Sequence, residues 1–156
     1  MQVEKLMIRD VKSCGPQDDL NTAAQIMWDY ACGCVPVLDE NQRVVGMLTD
    51  RDICMAAYTQ GKPLHDIQVS TAMSRGVFFC SPSDDIAQAQ KLLRENRVHR
   101  LPVIDAEGKL VGVLSLDDIA LETERERKGT AKRELTAAEI AETLAAVCRP
   151  RAAAAA

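Results

Sequence analysis

The spacing of apolar residues near the start of the chain predicts an amphipathic helix. Apolar side chains recur every three or four positions from Leu20 to Ala31, as they do along one face of a helix. Gly33 follows at a position suited to ending that helix. The predicted apolar face consists of Leu20, Ala23, Ala24, Met27 and Ala31.

Two short apolar runs separated by a polar turn follow the helix. Residues 34–38 and 43–48 are rich in valine and leucine, and the four residues between them, Asp39 to Gln42, are all polar. This pattern predicts two strands joined as a hairpin. The same arrangement returns later in the chain, with predicted strands at 101–104 and 109–114 and a turn at 105–108.

The later part of the chain repeats the earlier part at an offset of 66 residues, without a gap. Residues 2–53 align on residues 68–119, and a second helix opens at Thr49 in the first copy and at Ser115 in the second. Each copy therefore reads as strand, helix, strand, strand, helix. Matched pairs include Cys14 with Cys80, Pro16 with Pro82, Ala23 with Ala89, Pro36 with Pro102, Gly46 with Gly112, Leu48 with Leu114, and Asp52 with Asp118.

The repeat predicts an α/β fold built from two β-α-β-β-α repeats, followed by a C-terminal helical extension. We place repeat 1 at 1–60, repeat 2 at 61–121, and a charged helical extension and tail at 122–156. Neither repeat covers its own sheet well, so we expect the two to pack as a pseudo-twofold pair around a shared core.

A capping box at Thr136 and Glu139 predicts a short helix in the extension, with no counterpart in the repeat. This helix could dock on the module itself, on a second copy or on another protein. Packing against its own chain is the favoured alternative, because short helices are marginal without tertiary contacts.

Composition and charge exclude several classes of function. The chain has 156 residues, 27% of them charged, with a net charge of -4 and only 3% aromatic residues. The chain therefore lacks both the positive charge and the aromatic side chains that binding of nucleic acid would need. No apolar run approaches the roughly 20 residues that a membrane span needs, and the charged start does not resemble a secretory signal. We expect a soluble, cytoplasmic protein.

The six cysteines are expected to be reduced thiols, given a cytoplasmic protein. Cys14 and Cys80 occupy equivalent positions and are interpreted as small buried residues. Cys32 and Cys34 invite a metal or redox hypothesis, but they lack the spacing and the additional ligands of a structural zinc site. We expect no metal. No catalytic motif is present either, so we expect a protein that is not an enzyme.

The most specific local pattern is G-x-x-[ST]-x-x-D, which occurs once in each copy. A strand glycine allows close approach to the backbone, while a hydroxyl and a carboxylate three residues apart lie together at a helix start. That combination suits a ribose phosphate. It also resembles a capping box, which would stabilise the helix without any ligand, and the two roles can coexist. The residues concerned are Gly46, Thr49 and Asp52 in the first copy, and Gly112, Ser115 and Asp118 in the second.

Together with the Val-Pro-Val and Leu-Pro-Val strands, these motifs resemble a tandem pair of CBS (cystathionine beta-synthase) domains, also called a Bateman module. The resemblance spans about Gln2 to Leu121 and is carried by the order, spacing and duplication of the motifs. It implies a free-standing regulatory pair with two clefts for AMP, ADP, ATP, S-adenosylmethionine or NAD-type ligands, and no further cofactor. It also implies a homodimer, with a possible separate protein target.

The resemblance further implies roles for individual residues. Asp52 and Asp118 correspond to the family's ribose-binding carboxylates, and Thr49 and Ser115 to its hydroxyls. The resemblance implies an energy or metabolite sensor. A ligand-free association module is the first alternative, and a cysteine-based redox or metal sensor is the second.

The two copies differ in their basic residues. His99 and Arg100 resemble a basic pair that meets phosphates in some family members, whereas the first copy has Gly33 and Cys34 at these positions. A guanidinium binds phosphate oxygens in a forked geometry, so we expect two unequal sites. Arg51 is a second phosphate-binding candidate. The alternative for His99 and Arg100 is a solvated helix exit with cations near the helix C-terminus.

Overall fold

The computed structural model describes residues 1–129 and 134–149, and the chain divides into two compact units. Unit 1 comprises residues 1–9, 78–103 and, among the described residues, 112–129 and 134–149. Unit 2 comprises residues 10–77 and 104–111. None of the helices in the described ranges combines the length and the apolar character needed to cross a membrane.

Unit 2 contains the helices and strands of the first repeat, together with a single helical turn from the start of the second. They are α1 (Leu20–Asp29), β1 (Cys34–Leu38), β2 (Val44–Thr49), α2 (Asp50–Gln60) and the single turn α3 (Val69–Ala72). Strands β1 and β2 pair antiparallel, so the predicted hairpin is confirmed.

Unit 1 contains most of the second repeat and the extension. Its elements are α4 (Ile86–Asn96), β3 (Arg100–Ile104), β4 (Leu110–Ser115), α5 (Leu116–Lys128) and α6 (Ala137–Val147). Strands β3 and β4 form the second two-stranded sheet. The predicted α/β fold with a C-terminal helix is confirmed.

Each hairpin turn is organised by one aspartate. Asp39 Oδ1 accepts hydrogen bonds from the backbone amides of Asn41 and Arg43, both at 2.9 Å. Asp105 Oδ1 makes the same pair of contacts in the second copy, at 3.0 and 2.8 Å. The turn needs a residue with positive φ, which is Gly108 in the second copy and Gln42, at 63°, in the first.

The predicted end of α1 is wrong by several residues. The helix ends at Asp29, and Ala31 has a left-handed φ of 50° instead of extending the apolar face. Gly33 does not end the helix; its carbonyl accepts the amide hydrogen of Asp50 at the start of α2. The spacing of apolar residues could not reveal where the helix ends, because Ala31 still fits the helical period although its backbone is no longer helical.

The opening strand of each repeat is shorter than the sequence suggests. Cys14 makes a single parallel bridge with Val37, and Cys80 makes the equivalent bridge with Val103. These segments are extended but form no regular strand. Proline follows two residues later in both copies, at Pro16 and Pro82, and has no amide hydrogen with which to continue a ladder.

The compact units do not follow the sequence repeat. Residues 1–9 belong to unit 1, where the amide of Val3 donates to the carbonyl of Asp84 and Ile8 bridges to Val113. Residues 104–111, which are the second hairpin turn with the adjoining ends of β3 and β4, belong to unit 2. The boundaries at 1–60, 61–121 and 122–156 remain a prediction about the sequence repeat.

The core is aliphatic. Its largest fully buried side chains are leucine, isoleucine and valine, and all five aromatic residues of the chain are exposed. In unit 2 the buried cluster is built mainly from α1, β1 and α2. The aromatic residues are Trp28, Tyr30, Tyr58, Phe78 and Phe79.

Helix α6 packs on α4 and α5, which confirms the expectation that the extension docks on its own chain. At the contact, Thr143 is fully buried, and its hydroxyl accepts a hydrogen bond from Arg94 Nη1 at 3.0 Å. The same hydroxyl lies 2.8 Å from the carbonyl of Glu139 and 3.2 Å from Oε1 of the buried Gln90. A polar network therefore holds α6 in place, alongside the buried Val147.

Replacing Thr143 with valine should lower the free energy of unfolding by about 1–3 kcal/mol, because Arg94 and Gln90 lose a buried partner. Thr59→Val is the matched control, since Thr59 is exposed and its hydroxyl bonds only carbonyls of its own helix. Urea denaturation measures both variants. If both variants lowered the free energy of unfolding by the same small amount, the network would not stabilise α6.

Candidate functional site

The junction between β2 and α2 is a reciprocal capping box. Asp52 Oδ2 accepts hydrogen bonds from the amide and the hydroxyl of Thr49, at 2.9 and 2.7 Å. In return, the amide of Asp52 donates to Thr49 Oγ1 at 3.2 Å. Thr49 has extended φ and ψ of -113° and 162°, as a helix N-cap requires. The strand therefore passes directly into the helix.

The junction between β4 and α5 has the same geometry. Asp118 Oδ2 accepts from the amide and hydroxyl of Ser115 at 2.8 and 2.6 Å, and the amide of Asp118 donates to Ser115 Oγ at 3.1 Å. Ser115 is buried, and Asp118 is partly exposed. Capping is therefore a role that the motif performs in both copies.

Each capping aspartate keeps one carboxylate oxygen available. Oδ1 of Asp52 and Oδ1 of Asp118 accept no hydrogen bond from any residue in the described ranges. A carboxylate can accept from two vicinal hydroxyls, so the free oxygen suits a ribose. The hydroxyl hydrogens of Thr49 and Ser115 already point to Oδ2, which leaves these side chains as acceptors.

The backbone amides at the start of α2 are occupied by the chain itself. The amide of Asp50 donates to the carbonyl of Gly33 at 3.1 Å, and the amide of Arg51 to Asp50 Oδ1 at 2.7 Å. Together with the capped amide of Asp52, no first-turn amide is left for an anion. A phosphate at this junction would therefore have to be bound by side chains and not by the amides of α2.

The basic pair of the second copy lies at the start of α5. The carbonyl of His99 accepts the amide hydrogen of Leu116 at 3.0 Å, and His99 itself is exposed. Arg100 opens β3, and its Nη2 lies 3.8 Å from Asp117 Oδ2, with 35% of the arginine side chain exposed. Unit 1 thus brings His99 and Arg100 to the same junction as Ser115.

Asp117 was not identified from the sequence as part of this group. The repeat offset contained the signal, because Asp117 aligns with Arg51 of the first copy. The second copy, which has Arg100, therefore has the acidic Asp117 at this position. The first copy, which has Cys34 in place of Arg100, has the basic Arg51. Arg51 is exposed on α2, beside the Thr49 cap. Each junction carries one arginine, supplied by a different element.

The two motif glycines are buried against the chain's own backbone. A Cβ at Gly46 would lie 2.6 Å from Met73 Sδ and 3.1 Å from the carbonyl oxygen of Ser74. A Cβ at Gly112 would lie 2.8 Å from Met7 Sδ and 2.9 Å from the carbonyl oxygen of Ile8. In the structure the glycines make room for these segments, whereas the sequence reasoning assigned the space to a ligand.

The cysteines form no metal site in the parts of the chain that the structure describes. No group of three or more histidine, cysteine, aspartate or glutamate side chains is arranged to hold a metal there. Burial raises the pKa of the Cys14 thiol to about 11 and that of Cys80 to about 12. Both are therefore protonated and poorly reactive near neutral pH, because the thiolate is the nucleophile. Cys32 and Cys34 are half-buried.

A known protein-family model matches the chain twice, once in each repeat. The family model for the CBS domain matches residues 3–58 and 66–123. The CBS domain-containing protein YhcV of Bacillus subtilis is 31% identical over 119 residues, which cover 76% of this chain and 83% of YhcV.

A second relative is much longer. Inosine-5'-monophosphate dehydrogenase of Methanocaldococcus jannaschii is 30% identical over 118 residues, which cover 76% of this chain but only 23% of the dehydrogenase. Among solved structures, CBSX2 in complex with AMP has a TM-score of 0.71 at 23% identity, covering 81% of this chain and 98% of CBSX2. This last likeness shows the fold.

Gly112→Ala should lower the free energy of unfolding by about 1–3 kcal/mol, because the new methyl group would meet the backbone at Ile8. Gly46→Ala should cost less: a methionine sulfur is the closest atom at both glycines, but the nearest carbonyl oxygen is 3.1 Å away at Gly46 and 2.9 Å away at Gly112. Gly76→Ala is the control, with open space around its Cβ position. Thermal unfolding ranks the three variants. If Gly112→Ala left the stability unchanged, Gly112 would have no role in packing against Ile8.

Proposed function

The chain belongs to the CBS domain family, and from that premise we propose that it is a regulatory module that binds AMP, ADP or ATP. S-adenosylmethionine and NAD are alternative ligands of the same adenosyl class. The module senses energy or metabolite levels in the cytoplasm and transmits them through its own dimer or a separate protein target. It is not an enzyme.

One observation carries the proposal: the duplicated capping aspartate with an open Oδ1. A carboxylate that served only to cap the helix could be replaced by glutamate or glutamine, the usual residues of a capping box. Both junctions instead have the shorter aspartate, each with an oxygen that no described residue occupies. Asp52 and Asp118 are proposed to hold the ribose hydroxyls, one in each site.

Phosphate recognition is proposed to depend on side chains, because the chain itself occupies the first-turn amides of α2. Arg100 is the stronger candidate, since its ion pair with Asp117 is long and can be exchanged for a phosphate. His99 can add positive charge when protonated. Arg51 is the corresponding candidate at the other junction. The chain's relatives support the ligand class, because CBSX2, which shares the fold, was solved with AMP.

The dehydrogenase relative does not extend the proposal to catalysis. The matched 118 residues are 23% of that enzyme and 76% of this chain. Most of the dehydrogenase lies outside the match, so its activity is not transferred to this chain. The proposal therefore concerns ligand binding and signalling alone.

Asp52→Asn and Asp118→Asn should each weaken the binding of adenosine and AMP at one site by about 10- to 100-fold, because a charged acceptor of the ribose is lost. Asparagine keeps an oxygen for the cap, so the helices remain. Isothermal titration with AMP, ADP, ATP, S-adenosylmethionine and NADH measures the effect.

Glu139→Gln is the matched control, because it removes the charge of a capping box on α6, far from either motif in the sequence. It should leave affinity unchanged. Loss of binding in this control would mean that the aspartate variants act through stability. Absence of binding by any adenosyl ligand to the unmodified protein would favour the association-only alternative, and stoichiometric zinc would favour the sensor alternative.

Arg100→Ala should weaken AMP about 10-fold while leaving adenosine unchanged, because only the phosphate contact is lost. Arg125→Ala is the control: this arginine is exposed further along α5, where it pairs with Glu122. The same titration measures both. Equal losses for AMP and adenosine would exclude a phosphate role for Arg100.

A further inference from the structure

The junction between β4 and α5 contains an ion pair that the junction between β2 and α2 lacks. Arg100 Nη2 lies 3.8 Å from Asp117 Oδ2, and the aspartate side chain is 80% exposed. Both residues belong to unit 1, together with Ser115 and Asp118 of the capping box. The arginine that we assign to a ligand phosphate is therefore already held by a carboxylate of the same chain.

The junction between β2 and α2 has the opposite arrangement. Arg51 is the second residue of α2, as Asp117 is the second residue of α5, so each stands two residues after its capping hydroxyl. The guanidinium of Arg51 forms no ion pair with any residue in the described ranges. A ligand at this junction would meet an unpaired cation at the position where the other junction has an anion.

The contrast does not come from the number of charges, because each junction has one arginine and two aspartates. Beside Arg51, the additional aspartate is Asp50, and this side chain lies against the backbone. Its Oδ1 accepts the amide hydrogen of Arg51 at 2.7 Å, and its Oδ2 would lie 3.4 Å from a Cβ placed on Gly33. The residue that aligns with Asp50 is the buried Leu116, and the additional carboxylate of that junction is the exposed Asp117.

We propose that Asp117 determines the charge preference of the site at Asp118, in favour of adenosyl ligands with a cationic group and against those with a phosphate. A phosphate has to displace Asp117 from Arg100, and it then remains close to the displaced carboxylate. A cationic group, such as the sulfonium or ammonium of S-adenosylmethionine, is attracted by the same carboxylate. This inference rests on the proposed function, because it concerns adenosyl ligands whose ribose binds Asp118.

The residue at the same position in the first copy has the reverse effect. The unpaired guanidinium of Arg51 can bind a phosphate without breaking an existing ion pair, and it repels a cationic ligand group. Arg100 still meets the phosphate at the site of Asp118, but Asp117 limits what that contact adds to the affinity. The two sites therefore differ in the charge of the ligand that each prefers.

Asp117→Asn should raise the affinity of this site for AMP about threefold and lower its affinity for S-adenosylmethionine by about the same factor, because exposed charge pairs have modest effects. Adenosine has no charge and should bind unchanged. Isothermal titration measures all three ligands in an Asp52→Asn background, where the other site is weakened. Both changes should shrink in about 0.5 M salt, because salt screens exposed charges.

Glu124→Gln is the matched control, because it removes the same charge from α5 two turns further on, about 10 Å along the helix axis. It should leave the affinities for all three ligands unchanged. Asp117→Arg, which introduces the residue type of the first copy, should shift the affinities for AMP and S-adenosylmethionine in the same directions as Asp117→Asn and further.

The opposite signs expected for AMP and S-adenosylmethionine separate a charge effect from a structural one. If Asp117→Asn changed the affinities for all three ligands equally, or changed none of them, the inference would be overturned. Similar shifts in Glu124→Gln would assign the effect to the overall charge of the chain and would also overturn it. If none of the three ligands bound the unmodified protein, the proposed function would fail as well, whereas binding that Asp117→Asn leaves unchanged contradicts this inference alone.

Discussion

The passage from strand to helix in each repeat depends on the exchange of hydrogen bonds between a hydroxyl and an aspartate. Thr49 with Asp52, and Ser115 with Asp118, satisfy amides that would otherwise lack partners at a helix start. The exchange holds each carboxylate at the end of a buried strand with one oxygen open. The candidate binding function therefore depends on the same contacts that stabilise the fold.

The glycine three residues before each hydroxyl contributes in a different way. Gly46 and Gly112 let a neighbouring segment of the same unit approach the strand, through Met73 in one case and Met7 in the other. The Met47 amide donates to the Ser74 carbonyl, and the Ser74 amide to the Met47 carbonyl, beside the first glycine. The motif therefore has two structural roles: the capping role that the sequence also indicated, and a packing role for its glycine.

Duplication has preserved the backbone of the two copies while their surfaces have diverged. The arginine at the junction comes from β3 in one copy and from α2 in the other. On the first helix of each copy, α4 has Gln90 and Arg94 where α1 has Ala24 and Trp28. Such changes affect binding and association with little cost to the fold, because exposed positions contribute little to stability. The two junctions are therefore unequal in the side chains that surround them.

The sequence by itself determined the repeat, the hairpins, the helix that begins at Thr49 and the pairing of hydroxyl with carboxylate, because these depend on local periodicity and on contacts three residues apart. It could not determine that residues 1–9 join unit 1, that α6 covers α4, or that methionines occupy the space beside the glycines. Those features depend on contacts between segments distant in the chain. Only the tertiary structure could therefore show that the motif's glycines are used for packing and that its aspartates keep an oxygen free.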